Sequence, residues 1–343
     1  MARVYGIDMG TSSLKIYQKG EGLIYNEKNA IAIFDKKKVI AIGDDAWKME
    51  GKTPANIEVS YPFRNGVPAD IKNMVTMLNL IFEKLESEHG KVVGQEFMLA
   101  VPTNITEVQR RAYVDIVSST IAKPKRIRVV DKPVADALGC GVDIKEATGF
   151  MVADMGADTI EISVLSYGGI VTSKILPFGG KRMDDSITAA VRKYYNFMIG
   201  PKTAEQVKIA LGTAIRPEED AVETKQAMGR NVVWGLPGTI ALDSMFVYLA
   251  IKDSLERFLD AIRNMLEYMP PEMSVDVMTY GIHLTGGLSG IKNIDQMIAN
   301  ATGLPVHIAQ DGSGSAAIGL GKIMDDKELD ILAERYAALE IMD

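Results

Sequence analysis

Apolar and polar residues alternate over residues 12–20, 22–34 and 37–46, with Gly and Lys between the runs. A period of two is that of a strand with one buried face, so the first forty or so residues are predicted to form consecutive hairpins. After Asp70 the period changes. Ile71, Met74, Val75, Leu78, Ile81, Phe82 and Leu85 make a stripe at helical spacing, with Asp70 as its cap. Residues 96–102 then read as a buried strand, 106–121 as a helix and 126–131 as a strand. A short helix follows with Pro133 in its first turn, where a missing N–H costs little.

The same order returns in the second half. Strands dominate residues 149–178, and a helix is predicted over 184–199. Thr203 is expected to open another, with Thr203 and Gln206 as a capping box. Residues 231–242 read as a hairpin. A long amphipathic helix runs from about Asp243 to Tyr268 and stops at Pro270-Pro271. Residues 281–287 form a strand ending in glycines, and 327–342 are predicted as the last helix. Strands followed by helices, twice, define an α/β protein with two duplicated halves.

Bulk properties narrow the chemistry. At 343 residues the chain is long enough for two domains, and 47% hydrophobic with 24% charged residues is a globular mixture. A net charge of −7 argues against nucleic acid as a partner. One cysteine, Cys140, excludes an intrachain disulfide and fits a reducing compartment. No secretory h-region or run of about 18 apolar residues is present, so a cytoplasmic location is expected.

Within the duplication one short pattern occurs twice. VYGIDMGTSS occupies 4–13 and FMVADMGADT occupies 150–159, so Asp8 and Asp154 each end an apolar run and precede a turn. A glycine after such an aspartate lets the backbone gather successive N–H groups on one side, a donor array suited to phosphate oxygens. Ser12, Ser13 and Thr159 add hydroxyls, and the aspartates suit hydrated Mg²⁺. Gly286 and Gly287, at the end of a buried strand, would let a base or phosphate approach the backbone. Glu205 and Lys208, three apart, make either a surface ion pair or an adenosine contact.

With these residues assembled, the sequence resembles the actin/Hsp70/sugar-kinase superfamily and, within it, the MreB family of bacterial actins. The resemblance rests on residues 6–27, 43–71 (GDDAWKMEGKTPANIEVSYPFRNGVPADI), 168–187, 194–214 and 284–293 (LTGGLSGIKN). It implies an actin-like ATPase fold: domain I over 1–145 with a small subdomain at about 33–65, and domain II over 146–343 with one at about 182–245. The C-terminal helix would pack back on domain I, with ATP and Mg²⁺ in the cleft between the domains. Nucleotide contacts would come from Gly10, Thr11, Ser12, Ser13, Gly156, Ala157, Asp158, Thr159, Glu205, Gln206, Val207, Lys208, Gly286, Gly287, Leu288 and Ser289. Asp8 and Asp154 would hold the metal through water, and Lys132 and Thr159 stand at catalytic positions. The implied function is a self-polymerising filament at the inner face of the cell membrane. There it would organise wall synthesis with membrane-bound shape and cell-wall proteins and set rod shape.

Three departures qualify that expectation. The family's Glu-Pro, whose glutamate positions the attacking water, is here Lys132-Pro133, and a charged lysine has no acceptor. Hydrolysis is therefore in question, and a non-hydrolysing filament partner or a small-molecule kinase of the superfamily are the alternatives. The family's second Gly-rich turn here contains Ala157 and Asp158, the latter adding negative charge near phosphate. Lys132 and Asp158 could offset one another. Finally, the loop that is apolar in some relatives is polar here at 86–96 apart from Val92 and Val93, which leaves the basic run 123–128 as either a lipid contact or a solvated turn.

Overall fold

The structure, a computed structural model, describes residues 3–145 and 148–336. The chain forms two compact units: Met1–Ala147 with Ser163–Ile175 and Ser313–Asp343, and Thr148–Ile162 with Leu176–Gly312.

The first unit is built on a six-stranded sheet in the order Glu334–Tyr336, Arg126–Asp131, Glu96–Val101, Val4–Met9, Ser13–Gln18, Gly22–Lys28. Its three middle strands are parallel and buried along most of their length, as expected of strands covered on both faces. The predicted hairpins are present. Helix Ile71–His89 is capped by Asp70, whose side chain accepts from the Asn73 N–H. It buries Met74, Met77, Leu78, Ile81, Phe82 and Leu85, and Phe82 meets Phe97 of the sheet at 5.5 Å. Ile71, predicted in that stripe, is 46% exposed. A smaller sheet orders Lys38–Ile42, Ile31–Phe34 and Ile57–Ser60.

The predicted last helix is corrected. Lys327–Leu332 is a 3₁₀ turn and Glu334–Tyr336 is a strand antiparallel to Arg126–Asp131; residues 337–342 of the prediction lie outside the described residues. Backbone pairing decides the outcome, because strand Glu334–Tyr336 gives Arg126–Asp131 a partner on its open side. Arg128, buried in that strand, also ion-pairs with Asp330. A helix not predicted, Ser315–Asp325, lies against Lys132–Gly139.

In the second unit Phe150–Met155, Ile282–Thr285 and Val306–Ile308 pair in parallel. Helix Gly180–Tyr195 stops at Asn196 in the left-handed conformation (φ 49°), so 197–198 form a strand rather than the helical end predicted. Helix Pro201–Leu211 begins with Pro201 in its first turn, which puts Thr203 inside the helix; the expected capping box does not form. The hairpin strands are Thr224–Asn231 and Pro237–Asp243, so the predicted hairpin 231–242 holds the turn and second strand while the first strand lies before it. Ser244–Tyr268 is the long helix, capped by Asp243, but Pro271 opens a second helix, Pro271–Tyr280, that the prolines concealed. Among the described residues no helix is long and apolar enough to cross a membrane.

Candidate functional site

In the first unit the residues singled out lie at the carboxyl edge of the parallel strands, where open α/β sheets bind ligands. Asp8, Ala100 and Val130 stand level across three adjacent strands, and Lys132 follows two residues beyond. The turn from Gly10 to Ser13 is tight: a Cβ on Gly10 would sit 2.8 Å from the Ser13 carbonyl oxygen. Asn29, fully buried, fixes it by donating from Nδ2 to the Gly10 carbonyl at 2.8 Å, while its N–H bonds the Ser12 carbonyl at 3.0 Å.

Lys15 was missed by the sequence reading. The hairpin register sets it opposite Asp8, with Nζ 3.7 Å from the Asp8 carboxylate and 2.7 Å from Ser13 Oγ, and both charged residues are buried. The signal was available, since a tight turn after Met9 makes Lys15 the cross-strand neighbour of Asp8. The ammonium beside this loop is thus balanced by the Asp8 carboxylate. Lys132 pairs one turn along its own helix: Nζ lies 3.2 Å from Asp136 Oδ2, and the Asp136 side chain is only 2% exposed.

The second unit repeats the turn. A Cβ on Gly156 would sit 2.9 Å from the Thr159 carbonyl oxygen, which accepts the Gly156 N–H at 2.9 Å. Helix Gly180–Tyr195 starts against it: the N–H groups of Gly180 and Lys181 bond the carbonyls of Gly156 and Ala157 at 3.0 and 2.9 Å. Asp158 pairs with Lys181 at 2.9 Å, so its charge is compensated within the same unit. The offset that carries Asp8 to Asp154 carries Lys15 to Glu161, which is buried. The two turns are alike in backbone and opposite in buried charge.

Asp154, Gly286, Leu288, Ser289 and Lys208 lie around that turn and the helix start against it. Asp154 is level with Thr285, and Gly286 (φ +81°) runs so close that a Cβ there would lie 2.4 Å from Asp154 Oδ1. Ser289 Oγ donates to the Gly286 carbonyl at 2.7 Å, and Leu288 packs by Gly180. Lys208 is buried and donates to the Gly180 carbonyl and to Asp184, both at 2.9 Å. Burial raises the Asp184 carboxyl to about 6 against the opposing pull of Lys208. Val207 is wholly buried, Glu205 half-buried and Gln206 exposed. Gly287 is exposed at the strand end.

Two α/β units, each with a tight Asp-x-Gly hairpin at a sheet edge, define an actin-like fold. The MreB/Mbl protein family model matches residues 2–331, and the chain belongs to that family. It is 34% identical to the cell shape-determining protein Mbl of Bacillus subtilis, over 95% of this chain and 97% of that one. With the cell shape-determining protein MreB of Escherichia coli the identity is 35%, over 93% and 92%. The crystal structure of MreB5 of Spiroplasma citri bound to ADP superposes with a TM-score of 0.90 at 29% identity, over 96% of this chain and 98% of that one. A MamK double helical filament shares the fold at a TM-score of 0.76 and 19% identity, over 94% and 99%.

Proposed function

We propose that this chain binds ATP with Mg²⁺, polymerises into filaments at the inner face of the cell membrane, and determines cell shape together with membrane-bound wall-synthesis proteins. The observation that carries the reading is the matched pair of turns, Gly10–Ser13 and Gly156–Thr159, each closed so tightly that a Cβ has no room. Such cradles suit phosphate oxygens, and Lys15 and Lys181 stand beside them, paired with Asp8 and Asp158. Relatives solved with ADP and with AMPPNP, both MreB5 of Spiroplasma citri, support a nucleotide as the ligand. Asp8 and Asp154 would hold Mg²⁺ through water. Magnesium keeps several waters and needs only one or two carboxylates beside the phosphates. When bound, the metal would neutralise phosphate charge.

A second reading, a filament partner that binds ATP and hydrolyses it poorly, is favoured by Lys132. Its amine faces the buried Asp136, and at neutral pH it cannot accept a proton from water. Sedimentation with ATP, ADP or no nucleotide tests the filament reading, and pelleting that ignores nucleotide sinks it. Phosphate release from the pelleted protein separates the two readings.

A further inference from the structure

Three features of the first unit meet at Lys28: the Gly10–Ser13 turn, the strand Gly22–Lys28 that ends beside it, and the short helix Gly43–Met49. The hairpin register sets Lys28 opposite Ser13. Its Nζ lies 3.4 Å from Ser12 Oγ and 4.9 Å from the centroid of the Trp47 ring. Both ends of this bridge are anchored. The Lys28 N–H donates to Asp44 Oδ1 at 2.9 Å, and the next residue, buried Asn29, ties down the turn through the Gly10 and Ser12 carbonyls. On the other side Trp47 packs against the buried cluster of Ala30, Ala32 and Ala46 under the small sheet.

The surroundings hold this ammonium in a form that an anion can take over. An ammonium has three donors, and a hydroxyl uses one of them. An indole face attracts the cation through its quadrupole and leaves the charge intact. The bond to Ser12 Oγ is to a neutral oxygen, whereas one to phosphate joins two charges and is roughly twice as strong. A phosphate oxygen arriving at the turn therefore outcompetes the hydroxyl. Depth separates Lys28 from Lys15, the other lysine that reaches these hydroxyls. Lys15 is buried under the turn with Asp8, while Lys28 is half-buried at its rim, where a ligand can meet it.

We propose that Lys28 is a phosphate-binding residue of the first-unit turn, its ammonium passing from Ser12 Oγ and the Trp47 face to a phosphate oxygen when a nucleotide is bound. The inference rests on the nucleotide reading and adds to it one contact from the strand behind the turn. It also makes the environment of Trp47, on helix Gly43–Met49, depend on the phosphate.

Trp234 is the chain's other tryptophan, so a Trp234→Phe background leaves Trp47 as the reporter. Full-length protein in that background is titrated with ATP and Mg²⁺ or with adenosine, and binding is followed in parallel by calorimetry. Trp47 emission is expected to change with ATP and to stay constant with adenosine. Lys28→Met should weaken ATP binding roughly tenfold, with Lys28→Arg recovering most of it. Saturation by ATP with no change in Trp47 emission overturns the proposal, and does so without any Lys28 variant having to fold. The same emission change with adenosine overturns it too, since no phosphate is then present. Equal ATP affinity in wild type and Lys28→Met removes the lysine's role and leaves the nucleotide reading standing. Equal loss in Lys28→Met and Lys28→Arg assigns the residue to hairpin packing instead. A wild type that binds no ATP removes both readings at once.

Discussion

At the scale of single residues, charge pairing inside each unit decides what the unusual side chains do. Lys132 and Asp136 illustrate the point: they lie 3.2 Å apart, with both side chains nearly out of solvent. Restoring a glutamate at 132 alone would set two carboxylates together, and one would have to keep its proton or move away. Lys132→Glu is therefore expected to lower the melting temperature and leave phosphate release low. The double variant Lys132→Glu/Asp136→Ala should release phosphate faster than either single one; additive effects in that cycle would refute the coupling. The buried Lys208–Asp184 pair predicts a stability effect instead. Asp184→Asn leaves the Lys208 ammonium without its carboxylate, which costs about 3–5 kcal/mol in comparable sites, to be read from urea unfolding without nucleotide.

The pH dependence has two opposed residue-level parts. Asp184 is raised by burial from 3.8 to about 6, so its contribution to stability is full below about 3.8 and is lost as pH rises through 6. His283 is lowered from 6.5 to about 4, mainly by burial and next by His307, whose ring stacks on it at 5.0 Å. Its contribution is full above 6.5 and is lost as pH falls through 4. His283→Gln should therefore move the acid-unfolding midpoint to lower pH, and Asp184→Asn should steepen the rise in stability between pH 4 and 6. Unfolding curves of both variants across that range check the signs.

At the scale of elements, close backbone approach explains both the site and what the sequence concealed. The two turns were legible because Asp-Met-Gly repeats in matching strand context, and the structure gives them nearly the same closure. Gly10→Ala and Gly156→Ala each force a Cβ to within 3 Å of a carbonyl. Each is expected to weaken ATP binding by on the order of tenfold, about 1.4 kcal/mol, in equilibrium titration. Binding unchanged in both would remove the turns from the site. Helix Ser315–Asp325 was not predicted, because its glycines are poor helix formers. They serve packing: a Cβ on Gly319 would lie 1.8 Å from the Ala135 carbonyl oxygen, and one on Gly321 2.4 Å from the Tyr17 ring. Small residues let two helices approach at the expense of local propensity. Pro271 misled for a related reason, since proline ends one helix and opens the next equally well. The 327–336 segment misled because its helical pattern was overridden by a sheet partner far away in sequence. Lys15 and Lys181 were missed because their meaning lies in cross-strand register and in where a helix starts.

At the scale of the whole molecule, the governing quantity is net charge. Each chain carries −7, so identical copies brought end to end repel one another unless ions intervene. The Debye length shrinks from about 30 Å at 0.01 M salt to about 8 Å at 0.15 M, which removes most of the repulsion between exposed charges while leaving buried contacts intact. Apolar contact does not weaken over that range. A polymer joined chiefly by apolar and backbone contacts should therefore gain from salt, whereas one joined by complementary surface ion pairs should lose. Repulsion between like copies, each with a net charge of −7, is the larger long-range term. With ATP held constant, the sedimented fraction is expected to rise between 0.01 and 0.15 M monovalent salt, with Mg²⁺ acting at lower concentration because it screens more strongly. A monotonic fall over the same range would mean that surface ion pairs, not apolar contact, join the copies.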